Sequence, residues 1–205
     1  MKEKYIKILL WPLILFLSYL VINSINSEIT FQKEAKIRID QNVQKLKDLR
    51  LLQVAYKKAN NEFCDNFDTL INFYFNDSLF IVKAEGETPD TLTDKQALEM
   101  GIISRDTSYV SVRETLFDEV YKKTRNNSFP IDENNMTKIP FASIDYNIDA
   151  GVINKGNVNV QVFEISATYK NVLFGLNAKN KKYDLEKLLK VGSMIEADLN
   201  GNWGE

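Results

Sequence analysis

Residues 8–22 read ILLWPLILFLSYLVI, an apolar run interrupted only by Pro12 and Ser18. With Tyr5 and Ile6 before it and Asn23 to Ile25 after it, the stretch reaches about 20 residues, the length a helix needs to cross roughly 30 Å of hydrocarbon. It predicts a transmembrane helix over residues 8–25. Pro12 is expected in the first turns, where its missing hydrogen bond costs least. Tyr5 and Trp11 fall near one membrane interface, where amphipathic rings favour the headgroup region.

A cleaved signal peptide has the same charged start and apolar core. Its cut would follow Ser24 or Ser27, and both sites place a bulky residue, Ile22 or Ile25, where a small one is preferred. The span is therefore expected to be retained as a signal anchor. Lys2, Lys4 and Lys7 outweigh Glu3 on the short N-terminal side, which assigns residues 1–7 to the cytoplasm and residues 61–205 to the far side. Lys33, Lys36 and Arg38 reduce that asymmetry. In a bacterium this topology means a single pass through the inner membrane with the C-terminal domain in the periplasm.

Outward from the span, Ser27 to Ala59 contains neither Gly nor Pro. Ile39, Val43, Leu46, Leu49 or Arg50, Gln53 and Tyr56 recur at spacings of three or four, and Leu52 and Ala55 widen the stripe. Lys45, Lys47, Asp48, Lys57 and Lys58 are assigned to the opposite, solvated face. The pattern predicts a membrane-proximal amphipathic helix over 26–60 that continues the span. Its second half packs on the domain; its first half, Glu28 to Asp40, is a solvated stalk or a surface for partner helices. Asn60-Asn61 ends it, and Asp65 or Asn66 caps a short helix to about Asn76 that buries Phe67, Leu70, Ile71 and Tyr74.

This order of hydrophobic helix, amphipathic helix and a turn past Gln53-Val54-Ala55-Tyr56-Lys57-Lys58-Ala59-Asn60-Asn61-Glu62-Phe63 resembles the pilin and pseudopilin group over about the first seventy residues. The resemblance implies one long helix, half in the membrane and half under a globular domain. That group carries a leader ending in Gly-Phe and a Glu inside the apolar run. Here no Gly precedes the run and no acid lies between Tyr5 and Ile25, so the resemblance is one of shape.

Beyond residue 76 the signals are those of an α+β domain with short helices on an antiparallel sheet. Leu79–Ala84 is a β run, and Gly86-Glu87-Thr88-Pro89-Asp90 a loop. Thr93-Asp94-Lys95-Gln96 is a capping box opening a two-turn helix, closed by Gly101. Ile102-Ile103 and Tyr109–Val112 read as strands, and Leu116–Tyr121 is ambiguous. The Asn-, Ser- and Pro-rich stretch Asn126–Pro140 reads as a loop long enough to move or to touch a partner. Ile144, Tyr146, Ile148 and Ala150 alternate with polar residues, as do Val158, Val160 and Val162, across the turn Asn154-Lys155-Gly156-Asn157. Asp184 is expected to cap a helix from Leu185 to Lys190, followed by a strand at Ser193–Ala197.

The chemistry is sparse. Of 205 residues none is histidine, one is cysteine and the net charge is −2. This removes the commonest general base and metal ligand, any intramolecular disulfide, and a global basic field for nucleic acid. Cys64 reads as a small packed residue beside Phe63 and Phe67. Asp65 and Asp68 sit at a helix start, the ordinary place for acids. Asp198-Leu199-Asn200-Gly201-Asn202 has alternating oxygen ligands, but its glycine comes early and no closing Glu follows at the twelfth position. Ser104-Arg105-Asp106 and Ser166 lack a base, and Lys179-Asn180-Lys181-Lys182 reads as a solvated turn. No catalytic, cofactor-binding or metal residues are assigned. The expected role is that of a non-enzymatic component of a bacterial cell-envelope complex, touching the bilayer through one helix and other membrane or periplasmic proteins through the domain; the alternatives are a pseudopilin-like filament subunit, or a membrane-tethered ligand-binding domain or enzyme.

Overall fold

The computed structural model describes residues 2–87, 89, 92–178 and 181–204. Its first element, α1 (Lys2–Asn60), is one helix of 59 residues, about 88 Å long at 1.5 Å per residue. Pro12 lies well inside this helix rather than in its first turns, because helical structure already begins at Lys2. The large apolar residues from Leu10 to Ile29 that the structure describes are exposed. Burial begins at Phe31 and Ala35 and becomes continuous with Asn42, Leu46, Leu49, Leu52 and Ala55.

The stretch Glu28–Asp40 is therefore not a bare stalk. The chain after residue 173 returns to it: Phe31 meets Tyr183 edge-on at 6.1 Å, Arg38 donates to the Phe174 carbonyl, and Lys181 pairs with Glu28. At the far end Asn61 takes the left-handed conformation, φ 63°, and its N–H returns to the Lys57 carbonyl at 2.8 Å, a common helix stop. Fully buried Gln53 then fastens the chain that follows. Its amide donates to the Cys64 carbonyl at 2.6 Å and accepts the Cys64 N–H at 3.0 Å.

Asn66 caps α2 (Phe67–Asn76) by accepting the N–H groups of Asp68 and Thr69. Leu70, Phe73 and Tyr74 are buried, with Phe67 and Ile71 packed at the margin. Next, β1 (Ser78–Glu85) pairs antiparallel with β2 (Ser104–Ser111), from Ser78 opposite Ser111 to Glu85 opposite Ser104. Between them lies α3 (Asp94–Glu99), opened by the Thr93/Gln96 capping box and closed at Gly101, φ +68°. Of the strands expected at 102–103 and 109–112, the second is present as the end of β2, to Ser111, and the first is not a strand. The Ile102 and Ile103 amides bond back to the Ala97 carbonyl, and Val112 opens α4 (Val112–Leu116). α5 (Glu119–Thr124) follows, capped by Asp118.

The second sheet has the order β3 (Asn147–Lys155), β4 (Val158–Thr168), β5 (Leu188–Gly192), all antiparallel. The β3–β4 turn places Gly156 and Asn157 at φ 59° and 67°, the pair of positive values that a type I′ hairpin requires. α6 (Tyr169–Val172) leads away from β4. The helix expected at 185–190 and the strand expected at 193–197 are both displaced. Leu188–Gly192 pairs with the last residues of β4, burying Leu189 and Val191 while Lys190 turns outward to Glu164 at 2.6 Å. Asp184 caps only a turn, and the Ser193 hydroxyl accepts from the Ile195 and Glu196 amides instead of starting a strand. The class is α+β, with two antiparallel sheets in place of one. A single core cluster joins Leu46, Leu49 and Leu52 of α1 to Phe163, Ile165, Leu189 and Val191.

Candidate functional site

Among the described residues, a network of buried polar groups surrounds Asp48 on α1. Its carboxylate accepts Arg125 Nη2 at 2.7 Å, Arg125 Nε at 3.1 Å, Tyr121 Oη at 2.8 Å and Gln44 Nε2 at 3.1 Å. Only 4% of the Asp48 side chain and 5% of the Arg125 side chain remain exposed. The remaining Arg125 N–H groups reach the Phe129 and Asn126 carbonyls, and the Gln44 oxygen accepts the Asn126 amide at 3.1 Å. Burial, together with the Asp48 charge, pushes the Tyr121 hydroxyl well above its ordinary pKa. Asp48 is therefore a core residue, not part of the solvated face. It lies four residues before Leu52 and seven before Ala55, on the buried stripe itself.

This network has a structural consequence for Asn126–Pro140, which is packed rather than free to move. A one-turn 3-10 helix at Glu133–Asn135 and buried Met136 and Ile139 lie against α1. Lys45 donates to the Asn135 carbonyl and, at 2.6 Å, to the Lys138 carbonyl; burial lowers its pKa, opposed by nearby Asp132, Asp48 and Asp145. A second tether joins the Tyr74 hydroxyl to Glu133 at 2.9 Å and Glu133 to Arg113 at 2.5 Å. Between the segment and α1 remains a cavity of about 310 Å³, bordered by Gln41, Lys45, Asp132, Phe141 and Ser143. Several of its charged borders are engaged in the fold: Lys45 donates to backbone carbonyls, Asp132 accepts from Asn135, and Asp48 and Arg125 hold each other.

The residues singled out from the sequence are scattered. Cys64 is buried, its thiol donates to the Asn66 carbonyl at 3.1 Å, and burial raises its pKa, which keeps it protonated and inert. Asp65 and Asp68 line a shallow exposed groove with Thr137 and Asp145. Arg105 pairs with exposed Asp94 at 2.6 Å, and Ser166 is buried in β4. In the Asp198–Asn202 stretch the oxygens serve the fold. Asn202 accepts the Lys190 amide at 3.0 Å and donates to the Leu188 carbonyl at 2.8 Å, extending the edge of β5. Lys179 and Asn180 lie outside the described residues. Among the described residues no group of three or more His, Cys, Asp or Glu side chains could hold a metal ion.

Two surfaces stand out. One is the exposed apolar face of α1, whose best window has a mean hydropathy of 1.5 with none of it buried; by length and composition this helix can cross a membrane. The other is the β1–β2 ribbon, whose strands the sequence suggests at Leu79–Ala84 and Tyr109–Val112 but whose pairing it does not. It is eight residues long on each strand, about 27 Å, and pairs with no third strand among the described residues. Phe80 and Tyr109 stack edge-on across it at 5.8 Å while 58% and 73% exposed. Two-stranded ribbons are marginal alone; this one is anchored at its base, where Leu79 joins the core and the Val112 amide bonds the Asp77 carbonyl at 3.0 Å. Set against protein families, curated proteins and solved structures, the chain matches none.

Proposed function

We propose that the protein is a non-enzymatic, membrane-anchored component of a cell-envelope complex. One helix fixes it in the inner membrane, and the domain outside the cytoplasm binds other membrane or periplasmic proteins in a secretion, transport or motor assembly. The observation that carries this reading is the continuity of α1, exposed and apolar from Leu10 to Ile22 and contributing to the domain core from Phe31 onward. A load or signal on the domain is thereby coupled rigidly to the bilayer. The β1–β2 ribbon supports the protein-binding half of the reading. Its free edges and exposed Phe80–Tyr109 pair suit addition of a partner strand.

The test is purification of the tagged full-length protein in mild detergent from its own cells, with quantitative mass spectrometry. The expected result is a stoichiometric set of membrane proteins, lost on Phe80→Ser/Tyr109→Lys, and an intact Met1 peptide. Recovery of a folded, solitary monomer would refute the reading. A filament subunit of pilin-like shape is a second reading, supported by the course of α1 from an apolar first half into a packed second half. Processing of the N-terminus would favour it, and an uncut Met1 would remove it.

A further inference from the structure

The two edges of the β3–β4–β5 sheet are finished differently. The outer edge of β5 is covered by the end of its own chain. Val191 bridges Gly201, the Gly192 amide donates to the Asn200 carbonyl at 3.0 Å, and the Asn202 amide donates to the Lys190 carbonyl at 3.1 Å. The outer edge of β3 has no such cover. The bridge between Lys138 and Asp145 stops just before the strand, and among the described residues nothing pairs with the far side of 147–155. This edge is about 30 Å long. It contains no proline and stays in unbroken register with β4, so no bulge blunts it. An edge of this kind is a template for another strand.

The hairpin determines which groups the edge presents. Gly156 and Asn157 form a two-residue turn, whose closing hydrogen bond makes Lys155 and Val158 a bonded pair. Bonded pairs alternate along an antiparallel ladder, so Asn147, Asp149, Gly151, Ile153 and Lys155 bond to β4. Ile148, Ala150, Val152 and Asn154 then direct their N–H and C=O groups outward. Charge is distributed unevenly along this edge. Its start carries Asp149, and Asp65, Asp68 and Asp145 line a groove beside Ile148, with Lys138 across from Asp145. Its end carries Lys155, and residues 154–159 include no acid. Asp149 faces Glu164 on β4, and Glu164 is paired with Lys190. Asp149 and Lys155 are exposed, and neither forms an ion pair with a described residue.

We propose that β3 pairs antiparallel with β3 of a second copy, about a twofold axis at Val152, joining the two three-stranded sheets into one. Outward groups must meet outward groups, which leaves only registers centred on a residue of the strand. Centred on Val152, the register sets Asp149 of each copy opposite Lys155 of the other. Centred on Gly151 or Ala150, it sets Asp149 opposite Ile153 or Gly151; centred on Ile153, it sets Lys155 opposite Gly151. Opposite charges across a ladder stabilise it, and Val152, 54% exposed, gains its own counterpart as an apolar neighbour. The pairs Ala150–Asn154, Val152–Val152 and Asn154–Ala150 exchange about six hydrogen bonds. The direction of β3 adds a constraint. Tyr146, just before β3, bonds Asn42 at 2.5 Å. From the hairpin, β4 returns past Phe163, which lies against Phe63 at 4.7 Å, toward Tyr169, which stacks on Tyr183 beside Phe31. β3 therefore runs along α1, away from its apolar half. The twofold axis of an antiparallel pair is perpendicular to the sheet, so it points the two α1 helices in opposite directions. Two copies in one membrane cannot pair in this way, and two copies in facing membranes can. This last consequence rests on α1 crossing the membrane.

The test uses the full-length protein in detergent. Val152→Cys should form a disulfide-linked dimer on mild oxidation, since bonded partners on the axis have Cα atoms about 5.5 Å apart. Asn154→Cys, at an exposed position on the same edge, should not link, because its counterpart is Ala150. Cys64 is buried and does not compete. In sedimentation velocity Asp149→Lys should weaken the dimer about tenfold, and Asp149→Lys/Lys155→Asp should restore it. A monomer at every concentration, a link through Asn154→Cys without one through Val152→Cys, or a dimer indifferent to Asp149→Lys each overturns the pairing. Vesicles bearing the protein test the opposed arrangement: they should cluster, and Asp149→Lys should disperse them. Dispersed vesicles from protein that dimerises in detergent, or Val152→Cys links within vesicles that stay dispersed, overturn the facing-membrane arrangement and leave the pairing standing. Release of the protein from native membranes by alkaline carbonate overturns the span on which that arrangement rests.

Discussion

Replacing Asp48 by alanine should be among the most damaging single changes in this chain. The substitution removes four hydrogen bonds to one carboxylate and strands the Arg125 guanidinium, 5% exposed, without its counter-charge. Breaking a buried ion pair from one side costs about 3–5 kcal/mol, a third or more of the stability of an ordinary domain. With a urea dependence of about 2 kcal/mol per molar, the midpoint should fall by about 2 M. The assay is urea unfolding in a mild detergent, followed by the fluorescence of Trp203, which packs against the core, in a Trp11→Phe background. Asp48→Leu/Arg125→Met removes both charges and should recover most of the loss, because the cost arises from the unpaired partner. A midpoint for Asp48→Ala within about 0.5 M of the parent, or a double variant as unstable as the single one, would refute the assignment of Asp48 and Arg125 as the clamp on residues 126–140.

Three further outcomes are expected. Gly192→Ala should destabilise the domain by about 1–3 kcal/mol from conformation alone, since Gly192 has φ +75° and a Cβ there would sit 2.3 Å from the Phe163 carbonyl oxygen; thermal unfolding reads this directly. Tyr74, Tyr121 and Tyr146 all have hydroxyl pKa values raised above 10.0, chiefly by burial. Their contribution to stability is complete below pH 10 and is lost as pH rises through the folded-state values, so absorbance titration should show them ionising only together with alkaline unfolding. Cys64, buried and with its thiol pKa raised, should resist iodoacetamide in the native protein at pH 8 and react once denaturant is added; rapid labelling of folded protein would contradict its packing.

Local signals were sufficient where one element makes its own contacts. The run ILLWPLILFLSYLVI, the absence of Gly and Pro up to Asn60, the Thr93/Gln96 box and the Gly156-Asn157 turn each specify structure within a few residues. Those features announced the long helix with its exposed apolar first half, α3 and the β3–β4 hairpin, and with them the α+β class. Partners distant in sequence decided the rest. Leu188–Gly192 has enough leucine and lysine to read as helix, and it is a strand because the edge of β4 was available to pair with it. Phe31 and Ala35 looked like stalk because their cover comes from residues around 173–183, some 140 positions later. Asp48 was placed with the solvated charges because a carboxylate is expected outside, and only Arg125, 77 residues away, makes its burial tolerable. The sequence by itself determined which segment is able to cross a membrane, since crossing hydrocarbon demands a continuous apolar helix. Which charges lie inside and which edge is extended were decided by tertiary structure, because those depend on groups that only folding brings together.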